Sequence, residues 1–157
     1  MPSDFDFSIH FGVQKKNEIN TFEGTGTKDL IADGTATTEL ILREEEMKDI
    51  YEEMQEINIV EPKEFRPEPI NGTVCMQEPH GEDKWKIIIN GETLTHSIPG
   101  EYCKPTNDGK QLIELKNYVF NIIKVRVSIN HSQSPMEGTN SYSTNVVLVR
   151  PSLGRII

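Results

Sequence analysis

The chain has 157 residues and a formal net charge of −9, with 35% hydrophobic and 26% charged residues. A length close to that of one ordinary domain predicts a single folded unit with its own core, and the apolar fraction excludes a wholly disordered chain. A bilayer-spanning helix needs roughly 20 apolar residues in a row. No run in this sequence approaches that length, so we expect no transmembrane segment.

The charge is unevenly distributed along the chain. Residues 1–70 hold seven Lys/Arg and seventeen Asp/Glu, a balance of −10, whereas residues 71–157 hold nine and eight, a balance of +1. An acidic surface repels phosphate backbones, so we expect no nucleic-acid partner. The dispersed C-terminal cations are predicted to form a solvated face rather than a binding patch. They are Lys116, Lys124, Arg126, Arg150 and Arg155.

Alternation of apolar residues predicts the first strand. Residues 5–13 place an apolar side chain at every second position, which is typical of a strand with one buried face. These side chains are Phe5, Phe7, Ile9, Phe11 and Val13. Residues 19–30 and 35–42 are predicted to be the second and third strands. Three strands joined by short turns predict an antiparallel meander.

Residues 44–57 are predicted to form the first helix, because apolar residues recur there with helical period. The stripe consists of Met47, Ile50, Tyr51, Met54 and Ile57. We expect it to pack on the apolar face of the first strand, since each element has one apolar side to bury. Three glutamates at residues 44–46 complement the helix dipole and are not interpreted as a metal site.

The middle of the chain predicts a linker followed by a hairpin. Residues 61–72 form a Pro-rich connection, because Pro62, Pro67 and Pro69 exclude a regular helix or central strand. Strands are predicted at 74–77, 85–89 and 93–98. Asn90-Gly91 between the last two predicts a type I′ turn, because both residues tolerate positive φ.

A second helix is predicted from Asn107-Asp108-Gly109 to about residue 122. Its apolar face carries Leu112, Leu115, Val119 and Ile122. Alternation over residues 123–129 predicts an extended segment after the helix. A polar loop at 131–143 and a last short strand at 145–150 follow.

These elements predict an α+β fold, an antiparallel sheet packed against two helices. The sheet combines an N-terminal three-strand meander with a central hairpin. Within one domain spanning 1–157, residues 1–60 hold the meander and first helix, and 61–72 the connection. Residues 73–157 hold the hairpin, the second helix and a C-terminal extended segment.

Known catalytic, cofactor and metal motifs do not fit this sequence. Gly24-Thr-Gly26 lacks the third glycine of a dinucleotide-binding loop, because Asp29 occupies that position. The four histidines, His10, His80, His96 and His131, do not have the spacing of a zinc site. We therefore predict no catalytic residue, cofactor or metal. The alternative is a hydrolase or transferase whose Cys/His or carboxylate site assembles from distant positions.

The two cysteines, Cys75 and Cys103, flank the predicted hairpin. An antiparallel arrangement would bring their Cα atoms within the roughly 4.4–6.8 Å that a disulfide requires, so we predict a bridge. The alternative is a pair of buried thiols. Whether the bridge forms bears on function, because a bridged Cys103 cannot act as a nucleophile with His80 or His96. A bridge would therefore argue against a Cys/His enzyme.

Loops commonly carry binding groups, so exposed apolar and aromatic loop residues are the candidate binding surface. Tyr102, Met136 and Tyr142 are the candidates. For Tyr102 the alternative is that it packs beside the hairpin.

The first third of the chain resembles a family of uncharacterised exported proteins, largely lipoproteins, of Gram-positive bacteria. The resemblance rests on the alternation ending in Phe11-Gly12, on residues 17–22 and 27–30, and on residues 37–46 leading into Ile50-Tyr51. Residues 85–98 and 112–123 are similar more loosely. The family usually has Ser or Thr at the helix N-cap, where this chain has Arg43, so only half of a capping box is expected.

The resemblance implies an exported protein tethered outside the membrane by a lipid anchor on its precursor, and it supplies no catalytic residues. Residues 1–4 lack the features of a signal peptide, so we expect the leader to be missing from this sequence. We therefore predict a noncatalytic exported or cell-surface domain that binds a protein, a peptide or an envelope component. A cytoplasmic location is the alternative.

Overall fold

The computed structural model describes residues 1–133, with side chains as far as Val125. These residues form six strands and two helices: β1 Asp6–Phe11, β2 Asn17–Asn20, β3 Thr25–Asp29, β4 Thr35–Glu39, α1 Glu44–Glu56, β5 Glu82–Ile89, β6 Glu92–Pro99 and α2 Asn107–Gln133. The strands make one antiparallel sheet in the order β4-β3-β2-β1-β5-β6. The predicted α+β fold is confirmed. The strand predicted at 145–150, together with Met136 and Tyr142, lies outside the described residues.

The N-terminal meander has four strands, because the predicted strand at 19–30 is two strands, β2 and β3. The chain turns between them at residues 21–24, where Gly24 has a φ of 64°. Thr21 holds this turn against β1. The Thr21 hydroxyl accepts a hydrogen bond from the Phe7 N–H at 2.8 Å, and the Thr21 backbone N–H donates to the Phe7 carbonyl at 2.9 Å. These contacts to a distant strand explain why the sequence pattern missed the turn.

The apolar face of β1 packs against the helices, as predicted. Phe5, Phe7, Ile9 and Phe11 are all buried, and Ile50 and Met54 of α1 are buried with them. The Phe5 and Tyr51 rings meet edge to face at 5.2 Å between centroids. The prediction is wrong for Val13, which is 56% exposed. The strand has ended before it, and the chain leaves the sheet at Gly12, which has a φ of 84°.

Helix α1 begins with half of a capping box, as expected from Arg43. The Glu46 carboxylate accepts a hydrogen bond from the Arg43 backbone N–H at 2.7 Å and another from its guanidinium at 2.9 Å. The hydrogen bond from the guanidinium to Glu46, together with the charge of Glu46, raises the pKa of the Arg43 guanidinium. The glutamate thus satisfies one N–H donor at the helix N-terminus.

Helix α2 continues to Gln133, so the predicted extended segment at 123–129 and the loop beginning at 131 are wrong. Ile123 is fully buried and extends the stripe formed by Leu112, Leu115 and Val119. A helix satisfies its backbone hydrogen bonds internally, whereas an extended segment needs a neighbouring strand. At the other end, the Thr106 hydroxyl accepts a hydrogen bond from the Gly109 N–H at 3.1 Å and acts as the N-cap.

One cation predicted to be solvated is buried instead. The Lys116 ammonium of α2 lies 2.5 Å from a carboxylate oxygen of Asp83 in β5, and the two side chains are only 6% and 11% exposed. The same ammonium is 5.9 Å from the centroid of the Phe11 ring. A charged pair therefore joins the second helix to the sheet inside the apolar layer.

The two faces of the sheet differ in chemistry. Both helices pack on the face that carries the buried side chains of β1 and β5. The opposite surface, here called the open face, carries two rows of cross-strand neighbours whose side chains are polar. From β4 to β6, the rows are Thr37, Thr27, Glu18, His10, Lys84, Ser97 and Glu39, Thr25, Asn20, Ser8, Lys86, Thr95.

Candidate functional site

The connection between α1 and β5, residues 57–81, contributes no helix and no strand to the sheet. Connections longer than about 12–15 residues without secondary structure are uncommon, and ordered ones are usually functional. The course of this connection is set by specific contacts at both of its ends. This connection is therefore the candidate functional segment of the described chain.

The first part of the connection is fastened to α2 and β6. The Thr106 hydroxyl donates to the Glu64 carbonyl at 2.6 Å, and the Glu64 N–H donates to the Asp108 carboxylate at 2.8 Å. The Nε2 atom of His96 lies 2.8 Å from the carbonyl oxygen of Ile59. These bonds use polar groups of α2, of its N-cap residue Thr106 and of β6 to hold the chain against the edge of the sheet.

The second part is clamped by the predicted disulfide. Cys75 and Cys103 are bridged, with their Cα atoms 5.4 Å apart. Beside the bridge, Met76 pairs with Tyr102 in an isolated antiparallel bridge. The Gln77 N–H donates to the Glu101 carbonyl at 2.7 Å, and the Cys103 N–H donates to the Cys75 carbonyl at 3.1 Å. We call residues 75–77 and 101–103 the clamped ribbon.

The clamped ribbon continues the β5–β6 hairpin beyond an interruption. Regular pairing ends at Glu82 and Pro99. Just beyond, a Cβ atom added to Gly100 would lie 1.7 Å from the Gly81 carbonyl oxygen, so only glycine allows the two chains this close. Pairing resumes only at Met76, so the strand predicted at 74–77 is wrong.

The hairpin is therefore closed at both ends. At one end, Asn90 and Gly91 have φ values of 53° and 78°, which confirms the predicted hairpin turn. The Asp4 carboxylate accepts hydrogen bonds from both of their N–H groups. At the other end the disulfide joins the chain segments that lead into β5 and out of β6.

The loop presents apolar side chains to solvent. Met76 is 60% exposed, and Tyr102 opposite it is half-buried. Ile70 is 70% exposed and precedes a tight turn at Asn71-Gly72, where both residues have positive φ. Tyr102 was predicted from the sequence as a binding residue, whereas Met76 and Ile70 were not. The turn could have been found, because Asn71-Gly72 is the same dipeptide as Asn90-Gly91.

The surroundings of the clamped ribbon are acidic. Glu78, which directly follows Gln77, is exposed, and Glu101 belongs to the ribbon. Glu82, at the start of β5, is held by the Lys15 ammonium at 2.9 Å. That hydrogen bond, together with the charge of Lys15, lowers the pKa of the Glu82 carboxyl. The site thus combines apolar side chains with carboxylates.

Nucleophilic chemistry at cysteine does not fit this arrangement. Both cysteines of the chain are in the bridge, and a disulfide sulfur is not a thiolate. His96, proposed as one partner of Cys103, contacts the Ile59 carbonyl instead. His80, the other, has a buried Nδ1 with no hydrogen-bond partner among the described residues. Within the described side chains, no three His, Cys, Asp or Glu residues are grouped so that they could hold a metal ion.

The described fold defines a class, the two-layer α+β domain with a six-stranded antiparallel sheet and two helices on one face. Its particular feature is a hairpin closed by a disulfide. Neither the family models nor the curated proteins compared with this sequence match it. Among residues 1–133, no helix has the length and apolar character needed to cross a membrane.

Proposed function

We propose that this protein is a noncatalytic, exported or cell-surface domain that binds a protein, a peptide or an envelope component through the clamped ribbon. The observation that carries the proposal is a covalently fastened surface ribbon that exposes Met76 beside Tyr102. Both cysteines serve this architecture, which favours a binding role over a thiol-based reaction.

The physical argument for binding is preorganisation. Ordering a loop on association costs roughly 0.5–1.5 kcal/mol for each immobilised side chain, and a loop that is already fixed avoids much of that cost. Met76 adds an adaptable apolar surface, since methionine is unbranched and polarisable. The carboxylates of Glu78 and Glu101 favour a partner that combines apolar and basic side chains.

One observation supports a location outside the cytoplasm. Disulfides persist mainly in oxidising compartments, and this chain contains one. The resemblance to exported lipoproteins proposed from the sequence would add a lipid anchor on the precursor. We test this by expressing the full-length tagged protein in its source organism and treating intact cells with protease. Degradation of the tagged protein is expected, and protection until the cells are lysed would contradict the proposed location.

Peptide selection tests the binding site. We would immobilise the wild-type domain, enrich binders from a random peptide display library and measure the affinity of the enriched peptides. We expect apolar and basic residues among them. The double variant Met76→Ser/Tyr102→Ala should weaken their binding about tenfold or more, since central interface side chains carry most of the binding energy.

A matched control removes an apolar side chain elsewhere. Ile31 is exposed in the turn before β4, so Ile31→Ser deletes surface apolar area without touching the clamped ribbon. This variant should bind the enriched peptides as the wild type does. Equal affinity of all three proteins, with the melting temperatures unchanged, would place binding elsewhere and contradict the proposal.

A further inference from the structure

A strip of cationic and hydroxyl side chains lies on the open face over β5 and β6. Lys84 is opposite Ser97 and Lys86 is opposite Thr95, and all four residues are exposed. Residues two apart on a strand point to the same side and lie about 6.8 Å apart. The two lysines and two hydroxyls therefore form a near-rectangular group on one surface.

An aromatic ring extends this strip. Phe22, in the turn between β2 and β3, is 37% exposed, and the Lys86 ammonium lies 5.4 Å from its ring centroid. Its side chain therefore lies over the open face beside the lysines. The strip now contains cations, hydroxyls and one accessible ring.

The lysines of the strip are available to a ligand. Neither Lys84 nor Lys86 makes an ion pair with any side chain in the described part of the protein. Two carboxylates near them on the same face are engaged elsewhere, Glu18 with His10 and Glu82 with Lys15. The two neighbouring ammonium groups can therefore pair with the anionic groups of a ligand.

The composition of the strip decides among anionic ligands. Protein interfaces are centred on several apolar or aromatic anchors, whereas the strip has one ring among polar groups. Nucleic-acid sites neutralise many phosphates along a backbone, and two lysines are too few for that. An acidic polysaccharide offers anionic groups for ammonium ions, hydroxyls for Ser and Thr, and sugar C–H faces for an aromatic ring.

We propose that this strip binds an acidic polysaccharide. Lys84 and Lys86 pair with anionic groups on successive sugars, and the hydroxyls of Thr95 and Ser97 exchange hydrogen bonds with sugar hydroxyls. Phe22 packs against the C–H face of a sugar ring. The surface is distinct from the clamped ribbon, so its failure in a test leaves the function proposed for the clamped ribbon standing.

Calorimetric titration with polygalacturonate at low salt tests the proposal. The wild-type protein is expected to bind. Each exposed ion pair contributes little alone, so both lysines are replaced together, and Lys84→Gln/Lys86→Gln should weaken binding about tenfold. The control Lys48→Gln/Lys110→Gln makes the same change in net charge at exposed positions on α1 and α2. It should retain wild-type affinity. Absent wild-type binding, or equal loss in both variants, would overturn the proposal.

Two further polymers separate charge from sugar recognition. Unmodified dextran has hydroxyls without charge, and poly-L-glutamate has carboxylates without hydroxyls. Both should bind about tenfold more weakly than polygalacturonate, and Phe22→Ala should weaken polygalacturonate binding but not poly-L-glutamate binding. Equal affinity for poly-L-glutamate and polygalacturonate would reduce the strip to an unspecific charge effect and overturn the assignment.

Discussion

At the scale of single residues, Phe7 illustrates how the core is built. Its side chain is fully buried, and the centroid of its ring lies 6.0 Å from the ring centroids of both Phe5 and Trp85. Its backbone N–H and carbonyl contact Thr21, which holds the turn between β2 and β3. The residue thus connects the apolar layer to the geometry of the meander.

Replacing Phe7 by alanine should destabilise the protein by about 3–5 kcal/mol, because the large cavity left behind cannot close completely. Urea unfolding followed by tryptophan fluorescence measures the change. Phe22→Ala is the matched control, since it removes the same atoms from a side chain on the open face. An unchanged midpoint for Phe7→Ala would mean that the assigned register of β1 is wrong.

At the scale of elements, the ion pair of Asp83 and Lys116 joins β5 to α2. Burying two charges is costly, and their attraction compensates only while both partners are present. The Phe11 ring beside the ammonium adds a cation–π contact. Removing either partner alone would therefore leave an uncompensated buried charge between the helix and the sheet.

Removing one charge of this pair should cost more than removing both. We expect Asp83→Ala to destabilise the fold by about 3–5 kcal/mol, since it leaves a buried ammonium without its partner. Adding Lys116→Met should recover most of that loss. A double-mutant cycle by chemical denaturation measures the coupling. Additive losses would show that the two side chains do not depend on each other.

At the scale of the whole molecule, the β5–β6 hairpin carries both proposed binding surfaces. Its open face holds the polysaccharide strip, and its extension forms the clamped ribbon. The four-stranded meander and the two helices complete the sheet and its core around it. Loss of the disulfide should therefore affect global stability and also the order of the clamped ribbon.

The disulfide closes a loop with a sequence separation of 28 residues, which stabilises the fold by about 3–4 kcal/mol in the chain-entropy account. Cys75→Ser/Cys103→Ser should lower the free energy of unfolding by about that amount, as measured in urea. Intact mass should rise by two hydrogens on reduction. Alkylation of both thiols in unfolded, unreduced protein would rule the bridge out and restore Cys103 as a candidate nucleophile.

Local patterns in the sequence determined β1, α1 and the β5–β6 turn. Each depends on residues a few positions apart, namely period-two alternation, a helical stripe and the Asn90-Gly91 dipeptide. Part of the candidate site could be predicted from the sequence in the same way, namely Tyr102 and the two cysteines. Met76 and Ile70 were not, because exposure belongs to the folded surface rather than to the residue type.

Contacts between distant residues decided the rest, and only the tertiary structure contains them. Thr21 contacts β1 and ends β2 early, and burial of Ile123 against the core accompanies a helix that continues past the predicted boundary. Lys116 is buried because Asp83 compensates its charge from another element. Such partners are far apart along the chain, so periodicity, which reports only near neighbours, could not predict them.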